Sequence, residues 1–173
     1  MKPLIKTAIF IVLVPGTVTG LLPYLLVRGH AHLTPSGWRW AGTAPLVLGA
    51  WIALWCTWEF STAGQGTPAP ISPPRVLVRR GLYRWVRNPM YLGALLVLAG
   101  ETILFGSLTL LEYACIVALL FHLFVVLYEE PELARKFGAD YASYRQNVPR
   151  WLPRPPRSRG KSEGLLNEDY RST

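Results

Sequence analysis

The chain has 173 residues, of which 51% are hydrophobic and 16% are charged, and it carries 18 Lys and Arg against 10 Asp and Glu. A soluble domain of this size rarely has so few charges, so the composition indicates an integral membrane protein. The formal charge of +8 lies in segments that flank apolar runs, which favours a lipid bilayer over nucleic acid as the partner. The 2 Cys and 3 His residues show no metal-ligand spacing, so no metal site is predicted.

Residues 1–60 are predicted to form the first two transmembrane helices. The first apolar run covers about 5–27, and it lacks a small-residue cleavage site. It therefore predicts a retained helix rather than a removable signal peptide. The second run covers about 40–60 and has tryptophans near both ends, where the membrane interface favours them.

Residues 61–89 are predicted to form a loop. Its first part is rich in Gly and Pro, and these residues prevent a regular helix there. Residues 76–85 are compatible with a short interfacial segment that turns its arginines outward.

Residues 90–128 are predicted to form a transmembrane helical hairpin. Its two apolar runs, 90–105 and 108–128, are separated by Gly106-Ser107, a sequence typical of a tight turn. The hairpin should bring two polar runs to the same membrane face, where uncompensated carboxylates are costly and usually functional. These runs are Arg87-Asn88-Pro89-Met90-Tyr91-Leu92-Gly93 and Tyr128-Glu129-Glu130-Pro131.

Residues 129–153 are predicted to form a cap of short helices beside the hairpin. Pro131 suits a first helical turn and Gly138 can end that helix. A second short helix is expected over about 139–147. Residues 154–173 are rich in Pro, Arg and Ser without an apolar pattern, so this tail is predicted to be disordered.

The distribution of Lys and Arg predicts the orientation of this multi-pass protein. The connection between the first two spans contains only Arg28 and Arg39, whereas the loop 61–89 and the chain after the fourth span are rich in Arg and Lys. Positively charged residues favour the cytoplasmic side of a membrane. Both termini and both polar runs should therefore face the cytoplasm.

Several short motifs occur in a fixed order over residues 64–153. They are Leu77-Val78, Gly81-Leu82-Tyr83, the run 87–93, Glu129-Glu130, Phe137-Gly138, Tyr141, Tyr144 and Val148-Pro149-Arg150. In this order they resemble the membrane-embedded methyltransferases that use S-adenosylmethionine, which include isoprenylcysteine carboxyl methyltransferases and phospholipid N-methyltransferases. The resemblance implies an all-α integral membrane protein with about four transmembrane helices. It also implies a cytoplasmic cofactor pocket formed by the second loop, the last hairpin and the C-terminal short helices.

Carried over position by position, the resemblance implies a set of contacts with S-adenosylmethionine. These fall at Arg75, Val76, Leu77, Val78, Tyr83, Asn88, Pro89, Met90, Tyr91 and Glu129. The residue types suit this role, because Pro89 leaves amides free at a helix start and Tyr91 offers an electron-rich face to a sulfonium. Glu129 can accept hydrogen bonds from ribose hydroxyls or attract cationic groups of the cofactor.

Glu130 is the predicted catalytic residue. For an amine acceptor a base must remove a proton, and Glu130 is the nearest candidate. His122 lies seven residues before Glu129 on nearly the same helical face. It is either a second proton acceptor or a hydrogen-bonded structural histidine.

The departures from the family concern the methyl acceptor. Asn88 matches the Asn-Pro-Met-Tyr form of the phospholipid enzymes, and Val125 replaces the carboxylate-binding Arg of the isoprenylcysteine enzymes. An amphipathic, lipid-like acceptor is therefore expected, with a phospholipid amine favoured. The alternatives are an isoprenylcysteine-type carboxyl methyltransferase, a steroid-reductase-like membrane enzyme that uses NADPH, and a membrane scaffold without enzymatic activity.

Overall fold

The structure is a computed structural model that describes residues 15–29, 37–63 and 76–155, without the side chains of residues 60–63. These ranges contain helices and turns and no β-strand. Arg75 and the first part of the first predicted span lie outside the described residues. The predicted disordered tail also lies outside them, apart from residues 154 and 155.

The first described helices belong to the two apolar runs of the N-terminal region. The chain is π-helical over Thr17–Leu21 and continues as helix α1, Leu22–Val27. A 3-10 turn, Gly37–Gly42, leads into helix α2, Thr43–Ala63. The segment Gly37–Glu59 is apolar and long enough to cross a membrane, and Trp38 and Trp58 near its ends are exposed, as interfacial tryptophans should be.

Helices α3, Pro89–Phe105, and α4, Leu108–Phe124, form the predicted hairpin. Asn88 has a non-helical backbone with φ −120°, because the ring of the following proline disfavours the helical region. Gly106 ends α3 with a left-handed φ of 59°, and the Ser107 hydroxyl accepts a hydrogen bond from the Leu110 amide. Both ends of α3 and the turn at Gly106-Ser107 are therefore confirmed.

The chain does not leave the helix at the end of the fourth predicted span. It passes through a π-helical turn, Val125–Glu129, into helix α5, Glu130–Asn147. We attribute this turn to Pro131, which cannot donate to the helix and would crowd the preceding turn of a regular α-helix. The predicted interruption at Gly138 is confirmed, because its φ of 49° and ψ of −123° break the helix between two α-helical parts.

The helical segment that contains α4 and α5 is too long to lie wholly within a membrane. Leu108–Asn147 has 40 residues, a helical length of about 60 Å, whereas the hydrocarbon core is about 30 Å thick. One crossing would therefore use only about half of this segment. Pro89–Phe105 is a shorter apolar helix that pairs with α4 through the turn at Gly106.

Helix α2 and the 3-10 turn before it meet α3 where both backbones carry glycine. Gly42 lies against Gly100, and Gly49 lies against Gly93, so the two helices run in opposite directions. A Cβ atom on Gly42 would lie 2.5 Å from the Gly100 carbonyl oxygen, and one on Gly100 would lie 2.7 Å from the Gly42 carbonyl oxygen. Small residues allow such close approach between membrane helices, which then pack by van der Waals contact.

Residues 76–88, the motif loop, pack between α2 and α5. Only Gly81–Arg84 is helical, as a 3-10 turn, so the predicted interfacial segment over 76–85 is helical in that turn alone. Val78 and Tyr83 are buried with Cys56 of α2. On the other side, Leu77 contacts a second buried cluster, formed by Tyr141, Tyr144 and Val148.

Candidate functional site

The two polar runs are in direct contact. The Tyr91 hydroxyl, in the first turn of α3, donates a hydrogen bond of 2.7 Å to Glu129 Oε1, in the π-helical turn after α4. The Tyr91 ring also packs on Phe121 with a centroid distance of 4.7 Å. Because the turn at Gly106 joins the far ends of α3 and α4, their free ends lie together, and we call this the motif end of the hairpin.

Tyr83 also approaches the motif end. It is buried beside Cys56, and its main-chain oxygen accepts a 2.7 Å hydrogen bond from the Tyr144 hydroxyl. Burial raises the pKa of Tyr83 well above its usual value, and the nearby Cys56, Tyr144 and Glu129 raise it further. Tyr83 is therefore a neutral phenol at physiological pH.

Glu130 lies in a cluster of charged groups rather than in an open position. Arg87 Nη1 is 2.9 Å from Glu130 Oε1, and Arg150 approaches the same carboxylate at 2.6 Å through Nε and 2.9 Å through Nη2. Arg87 Nη1 also donates to the Tyr141 hydroxyl at 3.3 Å. We call these four residues, Arg87, Glu130, Tyr141 and Arg150, the Glu130 cluster.

The charges of this cluster determine the ionisation of Glu130. Burial alone would raise the pKa of its carboxyl, but the hydrogen bonds from Arg150 and the charges of Arg87, Arg150 and Arg145 outweigh that effect and lower the pKa below its ordinary value. Glu130 is thus a stable anion held by two guanidinium groups. A carboxylate in this state is a weak proton acceptor.

Residues 148–155, the C-terminal strap, are hydrogen-bonded along the motif loop. The Arg87 amide donates to the Pro149 carbonyl at 2.9 Å, and the Arg154 amide donates to the Trp85 carbonyl at 3.0 Å. Between them, the Asn88 side-chain amide donates to the Arg150 carbonyl at 3.3 Å. The strap therefore fixes the backbone immediately before helix α3.

The strap also contacts α4. The Trp151 indole N–H donates to His122 Nδ1 at 3.1 Å. The π-helical turn Val125–Glu129 has an additional residue per turn, so a spacing of seven residues no longer places His122 and Glu129 on one helical face. The contact with Trp151 supports the structural alternative for His122.

The predicted cofactor residues are distributed unevenly around the motif end. Tyr91 and Glu129 touch, and Asn88 and the buried Pro89 lie at the start of the same helix. Val78, Tyr83 and Met90 share the cluster around Cys56, whereas Leu77 packs with Tyr141 and Val76 is exposed. The structure thus brings most of these residues to one end of the hairpin.

Two functional candidates, Arg87 and Arg150, were not assigned a role from the sequence. The signal for them was indirect: the sequence places Glu130 at the C-terminal end of the fourth predicted span, where a carboxylate opposes the helix dipole and requires a cationic partner. Glu130 met that description, but its partners come from the residue before Asn88 and from the strap 20 residues downstream. Among the residues that the structure describes, no group of three or more His, Cys, Asp or Glu side chains could hold a metal ion.

These features define a helical protein with a polar site at one end of an apolar hairpin. The family model for phospholipid methyltransferase matches residues 38–140, which include α2, the motif loop, the hairpin and both glutamates. The chain belongs to the phospholipid methyltransferase family. Comparisons with curated proteins and with solved structures gave no match.

Proposed function

We propose that this protein transfers a methyl group from S-adenosylmethionine to an amphipathic, lipid-like acceptor, with the amine of a phospholipid favoured. The observation that carries the proposal is the hydrogen bond between Tyr91 and Glu129, which unites the two polar runs in a member of a methyltransferase family. An end of a membrane hairpin is accessible both to a polar cofactor from water and to an amphipathic acceptor from the bilayer.

The residues at the motif end have the chemistry that S-adenosylmethionine requires. Glu129 accepts one hydrogen bond from Tyr91 and retains further acceptor positions for ribose hydroxyls. Tyr83 and Tyr91 supply neutral aromatic surface for a cation. We assign cofactor contacts to Arg75, Val76, Leu77, Val78, Tyr83, Asn88, Pro89, Met90, Tyr91 and Glu129, and the bound cofactor supplies an activated methyl group on its sulfonium.

The protein's own contribution to the reaction is mainly positioning and exclusion of water. An ammonium headgroup must lose a proton before its nitrogen lone pair can accept a methyl group. Glu130 was predicted as the base, but its two guanidinium partners favour a role in holding the site. Glu129, which forms no ion pair within the described ranges, is the more suitable acceptor of that proton.

The environment of Val125 supports an amine acceptor over a prenylcysteine carboxylate. Val125, the first residue of the π-helical turn, is buried with 1% of its surface exposed. An apolar side chain at this place offers no cationic partner to a substrate carboxylate. Membership of a methyltransferase family also supports methyl transfer over nicotinamide-dependent reduction.

We also propose that the protein spans the membrane four times, with the motif end and both termini in the cytoplasm. Two described segments are long and apolar enough to cross, and Thr17–Val27 and Pro89–Phe105 are shorter apolar helices. The motif loop and the strap carry several arginines, which favour the cytoplasmic side.

Calorimetry and a methyl-transfer assay test this proposal. Detergent-solubilised protein is titrated with S-adenosylhomocysteine and with NADPH, and only the former should bind. Radiolabelled S-adenosylmethionine is then offered with phosphatidylethanolamine or with farnesylated N-acetylcysteine. Label in phosphatidylethanolamine is the expected result, whereas a base-labile methyl ester on the prenylcysteine, with no label in phospholipid, would reverse the choice of acceptor. Binding of NADPH alone would refute the methyltransferase proposal.

A further inference from the structure

The Arg87 side chain has an unused hydrogen-bond donor at the motif end. Its side chain is 10% exposed, and Nη1 is engaged by Glu130 and Tyr141. Arg87 Nε is buried and has no acceptor among the described residues. Buried donors in folded proteins nearly always have a partner, so an orphaned guanidinium N–H indicates an acceptor supplied from outside the side-chain network.

The charge balance around this donor favours an anion. Arg87 and Arg150 share the single carboxylate of Glu130, and Arg145 is close enough to affect that carboxylate. The other two acids of α5, Glu132 and Asp140, are paired with Arg135 at 2.8 Å and with Arg79 at 3.2 Å. The cluster therefore holds more positive than negative charge, and a guanidinium group binds carboxylate or phosphate oxygens well.

The position of Arg87 places this donor beside the proposed cofactor site. Arg87 immediately precedes Asn88 and Pro89, and its amide is tied to Pro149 of the strap at 2.9 Å. The same side chain is held from the other direction by Glu130, the neighbour of Glu129. Its backbone and its guanidinium group are thus both fixed before a ligand arrives.

We propose that Arg87 Nε donates a hydrogen bond to an oxyanion of a ligand bound at the motif end. This inference rests on the proposed function, which supplies two sources of that chemistry: the carboxylate of the cofactor and the phosphodiester of a phospholipid acceptor. Arg87 is a binding residue in either case. Glu130, which pairs with Arg87 Nη1 at 2.9 Å, acts through Arg87 as a positioning residue.

The first arm of the test addresses the cofactor carboxylate. Calorimetry compares S-adenosylhomocysteine with its decarboxylated analogue, in the parent and in Arg87→Lys, which keeps a positive charge near Glu130 but removes Nε. If the carboxylate is the partner, its removal weakens binding by about tenfold in the parent and by less than about twofold in Arg87→Lys. Within each protein, the ratio of the affinities for S-adenosylhomocysteine and for its decarboxylated analogue separates the carboxylate contact from any general loss of binding.

The second arm addresses the lipid phosphate. A short-chain phosphatidylethanolamine and a single-chain amine without phosphate are titrated into the same two proteins. If the phosphodiester is the partner, Arg87→Lys weakens binding of the phospholipid by about tenfold and leaves binding of the phosphate-free amine unchanged. This arm remains informative if S-adenosylhomocysteine fails to bind the parent, a result that would refute the proposed function and not this inference.

Arg150→Lys is the matched control. It perturbs the Glu130 cluster from the strap side and leaves Arg87 Nε in place, so the dependence on carboxylate or phosphate should persist. An equal loss of that dependence in Arg150→Lys would assign the effect to the cluster as a whole and overturn the proposal. The proposal would also be overturned if Arg87→Lys had the parent's melting temperature and the parent's affinity ratios, both for S-adenosylhomocysteine against its decarboxylated analogue and for the phospholipid against the phosphate-free amine.

Discussion

The Tyr91 hydroxyl and the Glu129 carboxylate are 2.7 Å apart although the two residues are 38 positions apart along the chain. This contact closes the free end of the hairpin, opposite the turn at Gly106. It joins a residue in the first turn of α3 to one in a π-helical turn, an element that often marks functional sites.

The first prediction concerns this pair. Glu129→Ala and Tyr91→Ala should each weaken binding of S-adenosylhomocysteine by at least about tenfold, because each loses a charge-assisted or aromatic contact worth roughly 1.4 kcal/mol or more. Calorimetry measures the affinities. Tyr113→Ala is the control, because its hydroxyl donates to the Val18 carbonyl away from the motif end. Normal binding by folded Glu129→Ala and Tyr91→Ala would show that the site is misplaced.

The second prediction concerns the glycine contacts between α2 and α3. Gly100→Ala should destabilise the protein by about 1–3 kcal/mol, because the added methyl group overpacks a backbone contact. Its Cβ would lie 2.6 Å from the Leu46 amide nitrogen and 2.7 Å from the Gly42 carbonyl oxygen. Gly20→Ala has nothing within 4 Å and serves as the control in detergent unfolding. Equal unfolding midpoints for both variants would contradict the packing described for Gly100.

The third prediction concerns the pH dependence of stability. The pKa of Glu130 is lower in the folded protein than its ordinary value of 4.5, so the unfolded chain binds its proton more readily. The contribution of Glu130 to stability is therefore complete above that ordinary value and is lost as the pH falls towards the lower folded pKa.

Unfolding midpoints of the parent and Glu130→Gln, measured from pH 7 to pH 3.5, test this dependence. The difference between the two proteins should shrink as the pH falls. A difference that stays constant or grows towards acid pH would contradict the ion-pair description of Glu130.

The fourth prediction concerns the strap. Arg150→Ala should lower stability by about 1.5–3 kcal/mol, because it removes hydrogen bonds to a buried charged group. It should also increase proteolytic cleavage within residues 148–155, which mass spectrometry can locate. Arg135→Ala removes a pair with Glu132 in which the arginine is 79% exposed, and such surface pairs contribute little. If the two variants lose the same stability, Arg150 does not hold the strap.

The fifth prediction concerns topology. Reporters fused after Thr173 and inserted near Gly66 should both report the cytoplasm, and one near Thr34 should report the outside. This follows from the excess of Lys and Arg in the motif loop and after α4. An external signal from the reporter near Gly66 would contradict the proposed four spans.

The local chemistry of single residues made parts of this fold predictable. Pro89 begins α3, Gly106 ends it, and Gly138 interrupts α5. Each of these three boundaries depends on the backbone preference of a single residue. The meeting of Tyr91 with Glu129 followed from the hairpin itself, since two antiparallel helices of similar length return to the same end.

The remaining features depend on partners that are distant in sequence. The seven-residue spacing of Gly42 and Gly49 matches that of Gly93 and Gly100, but only the packed structure shows that these pairs face each other. The partners of Glu130, Arg87 and Arg150, come from two other segments. Because the sequence alone does not reveal these partners, it favours the interpretation of Glu130 as a base. The sequence position of Glu130 does not show that both of its carboxylate oxygens contact arginines.

The match to the family model ends at residue 140, whereas the strap begins at residue 148. A chain shortened after residue 147 would keep every described helix and both polar runs. Of the two arginines that pair with Glu130, however, Arg150 would be lost and Arg87 would remain. The Arg87 amide would lose Pro149 and the Asn88 side chain would lose Arg150. Chimeras made from this protein and its relatives should therefore take residues 76–88 and 148–155 from the same parent, because hydrogen bonds join these two segments.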